Sequence, residues 1–221
     1  MQDEDSPLAV RLLALAPLAF LAGYATVRVG APDLVPRLIK EDGALEYLQV
    51  LLYATAACFA LLVAVRSHSS LFRWAFAVFG LACAFVALEE VSWGERLLGF
   101  DTPESIRDLN TQGEMNVHNL APVQRFLHLA YILAGLVAGL GWRVAASLPH
   151  GRLRRHLEAI LPDWYSVLFF LPVAVFYAYM EIIGFPTIGW LRSQDQEVFE
   201  TLFAGGCVVF TWTRLRRSYY G

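Results

Sequence analysis

Apolar residues run along this chain in six long blocks, each close to the ~20 residues needed to cross ~30 Å of hydrocarbon. The blocks cover about 8–27, 44–65, 71–92, 120–144, 164–183 and 198–215. Between them lie polar segments, and two of these carry a pattern of their own. In 101–110, Asp101, Thr102, Pro103 and Glu104 read as a helix start, with a cap, a proline and an acidic first turn, followed by an Ile106 and Leu109 stripe. That predicts a short helix on the membrane surface over 103–110, covering a polar site. In 151–162, Leu153, Leu157, Ile160 and Leu161 share a face opposite Arg152 and Arg155, a basic interfacial helix. The fold class expected is therefore all-α: one integral membrane domain over 1–221, a polytopic bundle of six transmembrane helices with short interfacial helices.

Composition agrees with this pattern. The chain has 221 residues, is 57% hydrophobic, and has a mean hydropathy of +0.49, too apolar for an ordinary soluble domain of its size. Its acidic start differs from the basic leader of a signal peptide, so the first span is expected to be retained. Helix packing in lipid relies on small residues. Ala54, Ala56, Ala57 and Ala60 in the second span and the Gly135-xxx-Gly139 pattern in the fourth supply them. Cys58, Cys83 and Cys207 fall far apart inside apolar runs, as buried thiols do rather than as a disulfide framework or a CxxC site.

Charge sets the orientation. Arg66, Arg73, Arg143, Arg152, Arg154, Arg155, Arg214, Arg216 and Arg217 cluster at one end of the spans. The positive-inside rule makes that end cytoplasmic, with both termini there, in a bacterial inner membrane. Of the twenty acidic residues, fifteen then fall on or near the outer face. No basic cluster interleaved with aromatics points to nucleic acid, and GxSxG, HExxH, P-loop and GxGxxG motifs are missing.

Glu46, Glu89, Glu90, His118, Glu181, Glu197 and Glu200 all fall at this outer depth, so that four spans offer a carboxylate and a fifth element an imidazole. Acidic groups at the edge of hydrocarbon are costly, and a chain seldom carries them without use. Glu89 and Glu90 sit about 100° apart on a helix, so at least one must face the bundle interior. Carboxylates with imidazole suit zinc, iron, manganese or calcium, and also carry protons. The candidate metal ligands are Glu46, Glu90, His118 and Glu200. The candidate catalytic carboxylates are Glu89, Glu90 and Glu114, with Glu114 and His118 four apart. Asn119, Arg125, His128 and Glu181 are expected around them. A divalent metal, zinc first among the choices, would then act on a lipid or lipid-linked substrate. The plainer readings are hydrated glutamates at headgroup level for Glu46 and Glu197, and an ion-pair network in which Arg125 neutralises a glutamate. A proton- or cation-coupled transporter element, or a non-catalytic subunit of a membrane complex, are the competing functions.

The strings EDGALEY, EEVSWGER and NTQGEMNVHN, spanning 41–119, resemble a family of uncharacterised bacterial multi-pass membrane proteins. That resemblance implies a multi-pass membrane architecture and no particular activity. In architecture alone the arrangement is also similar to membrane hydrolases of the alkaline ceramidase type, which hold a metal among helix ends. That family places an HxxxH pair in its last span, where this chain has none.

Overall fold

The computed structural model describes residues 7–40, 43–110, 113–183 and 195–220, and among them it is helical with no strand. Ten α-helices follow one another among the described residues: α1 (Pro7–Gly30), α2 (Val35–Ile39), α3 (Ala44–Arg66), α4 (Ser70–Glu90), α5 (Glu95–Leu98), α6 (Glu104–Arg107), α7 (Ala121–Ser147), α8 (Arg152–Ile160), α9 (Val167–Ile183) and α10 (Gln196–Tyr220). Among the described residues, five stretches are long and apolar enough to cross a membrane: Ala9–Gly30, Ala44–Arg66, Ser70–Glu90, Pro122–Ser147 and Arg152–Ile182. These make the chain a membrane-embedded helical bundle.

The sixth apolar block belongs to α10, which has the length of a span but is not among those five. Its first turns carry Glu197 and Glu200, and its last turns carry Arg214, Arg216 and Arg217. It can hold this polarity because it runs through the interior, with Val198, Ala204 and Thr211 fully buried. It packs against α3 on one side and α9 on the other, α4 adds to α3, and α7 adds to α9.

Association between helices in lipid gains little from the hydrophobic effect and depends on close packing and hydrogen bonds. The glycine pair in α7 does this work. A Cβ at Gly135 would stand 2.8 Å from the Phe170 carbonyl oxygen, and one at Gly139 would stand 3.3 Å from Leu171. In α3, Ala56, Ala57 and Ala60 are buried as expected, whereas Ala54 faces outward. The core stacks in three layers along the bundle. Tyr131, Val173, Tyr177 and Leu202 lie at one end; Tyr53, Cys83, Phe170 and Cys207 lie in the middle; Val63, Phe76, Phe210 and Leu215 lie at the other end. α1 is the most lightly packed span, and its side chains mostly face outward. It is held near one end by Asp195, which accepts hydrogen bonds from Tyr24 and Arg28.

The basic helix expected over 151–162 forms as α8. The surface helix expected over 103–110 is shorter: α6 is a single turn, capped by Pro103 with no side-chain cap bond, so Asp101 does not act as the cap. Thr102 is the reason. Its N–H is drawn to Glu95 and its carbonyl to Arg107, which holds the backbone extended up to Pro103.

Candidate functional site

At the end of the bundle where α4 and α9 finish and α3, α7 and α10 begin lies a cavity of about 400 Å³. Glu46 of α3, Glu90 of α4, Glu197 and Glu200 of α10, and His128 of α7 line it, joined by His118 and Asn119 from the loop ahead of α7. Lys40, exposed on the rim, is the only lysine or arginine among the described lining residues. Several carboxylates around one small cavity repel one another unless protons or a bound cation neutralise them.

Each glutamate reaches this place for a local reason. Glu197 and Glu200 are three apart, so they share a face of α10. Glu46 lies one turn before Gln49 on α3; Gln49 is fully buried and its Nε2 donates to Glu197 Oε2 at 2.9 Å. Glu200 is buried and accepts a hydrogen bond from the Tyr177 hydroxyl. Tyr177 stacks on Tyr131 with centroids 4.8 Å apart, which fixes that hydroxyl from behind. His128 Nδ1 lies 2.7 Å from Glu181 Oε1.

The two adjacent glutamates at the end of α4 part company. Glu90 faces the cavity, while Glu89 is turned away and buried. Glu89 Oε2 accepts the N–H groups of Val117 at 2.6 Å and His118 at 2.9 Å, and Oε1 accepts the Trp93 indole N–H. His118 Nδ1 stands 3.5 Å from the same Oε2. Between the two loop halves the chain turns sharply, with Ser92, Trp93 and Gly94 all at positive φ (45°, 55° and 79°). Two of these are not glycine, and that conformation costs on the order of 1 kcal/mol or more each. Side chains hold it in place. Ser92 Oγ donates to Glu114 Oε2, Asn116 Nδ2 donates to Ser92 Oγ at 3.1 Å, and Asn110 Nδ2 donates to Asn116 Oδ1 at 2.7 Å. Glu95 adds a clamp, accepting from the Thr102 N–H at 3.1 Å and the Met115 N–H at 2.9 Å. Hydrogen bonding from Thr102, then from Met115, holds the Glu95 carboxyl below the usual carboxylate range.

Of the residues singled out from sequence, the cavity brings together Glu46, Glu90, His118 and Glu200, with Asn119 and His128 beside them. Glu89 and Glu114 are not in its wall; their oxygens serve the loop. Glu181 stands behind His128, and the side chain of Arg125 lies outside the described residues. As the side chains stand, no three His, Cys, Asp or Glu groups among the described residues form a ready-made metal ligand set. The covering segment is also a different one: Pro36 and Ile39 of α2, with Lys40, complete the wall, and 103–110 does not contribute.

Gln49 and Tyr177 were not among the sequence candidates, and Glu197 was placed at this depth but not among the ligand or catalytic residues. Spacing was the available signal for all three: Gln49 follows Glu46 by three, Tyr177 precedes Glu181 by four, and Glu197 precedes Glu200 by three. No family model, curated protein or solved structure matches this chain.

Proposed function

We propose that this chain is a membrane enzyme whose cavity binds a divalent metal ion and hydrolyses a lipid or lipid-linked substrate at the outer face of a bacterial inner membrane. In this reading α10 is the sixth span and both termini are cytoplasmic, which follows from the arginines gathered at the far end. One observation carries the reading: carboxyl groups from α3, α4 and α10 and imidazoles from α7 and its preceding loop line a single cavity at the helix ends. Helix ends lie at headgroup depth, so the ester or phosphoryl linkages of lipids are within reach. Glu46, Glu90, His118 and Glu200 are the residues that would hold the ion. A bound metal would polarise such a linkage and lower the pKa of a coordinated water. A surplus carboxylate such as Glu197 is then placed to take up the proton.

The transporter reading is weaker. Beneath Glu200 the described interior is filled by aromatic and aliphatic layers around Phe169, Phe170 and Phe210, where a conducting path needs polar groups.

Metal content of the protein purified in mild detergent, after loading with Zn²⁺ and dialysis, tests the proposal. Near-stoichiometric metal in the wild type, lost in Glu90→Gln and Glu200→Gln while both still insert, is the expected result. Equal, near-zero metal in all three overturns it. A reporter fused after Gly221 that is active only in the periplasm would overturn the topology.

A further inference from the structure

We propose that His128, set in place by Glu181, supplies an imidazole nitrogen to the metal in this cavity, an inference that rests on the metal reading above. His128 sits in the second turn of α7 and Glu181 in the last turn of α9, so a pair of neighbouring helix ends holds the contact. The Nδ1 to Oε1 distance is 2.7 Å. A carboxylate only accepts, so Nδ1 carries the hydrogen, and in the neutral imidazole the lone pair is then on Nε2. His128 is among the residues that line the cavity, and with Nδ1 engaged by Glu181, Nε2 is the ring nitrogen left for a ligand. A second restraint acts on the ring itself: its centroid lies 5.0 Å from that of Tyr177, tilted by 43°. Tyr177 in turn donates to Glu200, so the imidazole and a carboxylate are braced by the same aromatic side chain.

A ligating histidine nearly always donates its other ring N–H to a carboxylate, carbonyl or water, which fixes tautomer and direction. The Glu181–His128 pair has that form. His118 is backed more loosely: its Nδ1 is 3.5 Å from Glu89, whose Oε2 already accepts two backbone N–H groups. Glu181 is therefore a positioning residue, and His128 is the ligand it serves.

The test uses the full-length protein in detergent, loaded with Co²⁺ alone, comparing wild type, His128→Gln and Glu181→Gln. Two readouts are taken: the Co²⁺ dissociation constant from visible absorption, and the number of imidazole ligands from X-ray absorption. His128→Gln should lose an imidazole from the shell. Glu181→Gln should keep the imidazole count and bind about 10–100-fold more weakly. Should His128→Gln fail to fold, Glu181→Gln decides alone, because wild-type affinity there overturns the proposal. An unchanged imidazole count and affinity in His128→Gln overturns it while leaving the metal reading intact. A wild type that takes up no Co²⁺ overturns both.

Discussion

The two ends of the bundle treat charge in opposite ways. At the arginine end, Asp163 stands 3.4 Å from Arg214 and 3.2 Å from Arg217, and Arg214 also donates to the carbonyls of Glu158 and Leu161. Those carbonyls close α8, so one buried guanidinium caps a helix and neutralises a carboxylate together. At the acidic end, Glu46, Glu90, Glu197 and Glu200 share a cavity whose described lining includes one lysine, Lys40, exposed on the rim. The first arrangement pairs opposite charges and serves the fold. The second holds a surplus of one sign among its described lining residues, and the proposed cation site rests on that surplus. The same contrast repeats within two residues, since Glu89 is spent on loop backbone while its neighbour Glu90 faces the cavity.

The largest effect is expected at the arginine end. Arg214→Ala strands two helix-closing carbonyls and leaves Asp163 with Arg217 as its remaining arginine. Removing one partner of a buried pair costs about 3–5 kcal/mol. Thermal unfolding in detergent should show a large drop, and a shift within error of wild type would break the comparison.

Next in size is Glu89→Ala, which orphans the N–H groups of Val117 and His118 and the Trp93 indole. Each unsatisfied buried donor costs about 1–3 kcal/mol. Glu89→Gln keeps acceptor oxygen in place and should cost clearly less. Equal losses would mean that charge, rather than acceptance, holds the loop.

Glu197→Gln should go the other way. It removes one of several carboxyl groups that repel one another when ionised, while an amide still fits beside Gln49. The expected outcome is a gain of roughly 0.5–1 kcal/mol in stability, with weaker cation binding. A loss of stability would mark Glu197 as a structural group like Glu89.

Much of this contrast was legible in the sequence, because helical period and span length place each glutamate at a depth. The positions of Glu46, Glu90 and Glu200 follow from that arithmetic, and so does the separation of Glu89 from Glu90. Gln49 and Tyr177 escaped because an amide or a phenol inside an apolar run reads as ordinary core; only the tertiary partner reveals its use. The covering segment escaped for a related reason. Residues 103–110 carry a plausible helix start, but the clamp between Glu95 and Thr102 is a contact across seven residues that no local pattern announces. Gly94 hinted at a turn, yet positive φ at Ser92 and Trp93 depends on Glu114 and Asn116 more than twenty residues on.

The smallest prediction isolates burial from charge. Glu158 lies at the arginine end, where its carboxylate is 2.7 Å from Arg154 one helical turn earlier, and its side chain is 46% exposed. It thus shares the neighbourhood of Arg214 but not its burial. An exposed i,i+4 pair contributes about 0.3–0.5 kcal/mol, and salt weakens it further. Glu158→Gln should therefore leave thermal unfolding almost where it was, with the small difference vanishing in high salt. Its backbone carbonyl, the atom that Arg214 uses, is untouched by the change. If Glu158→Gln cost as much as Arg214→Ala, proximity to the arginine cluster would be what matters, and the division between paired and surplus charge would lose its physical basis.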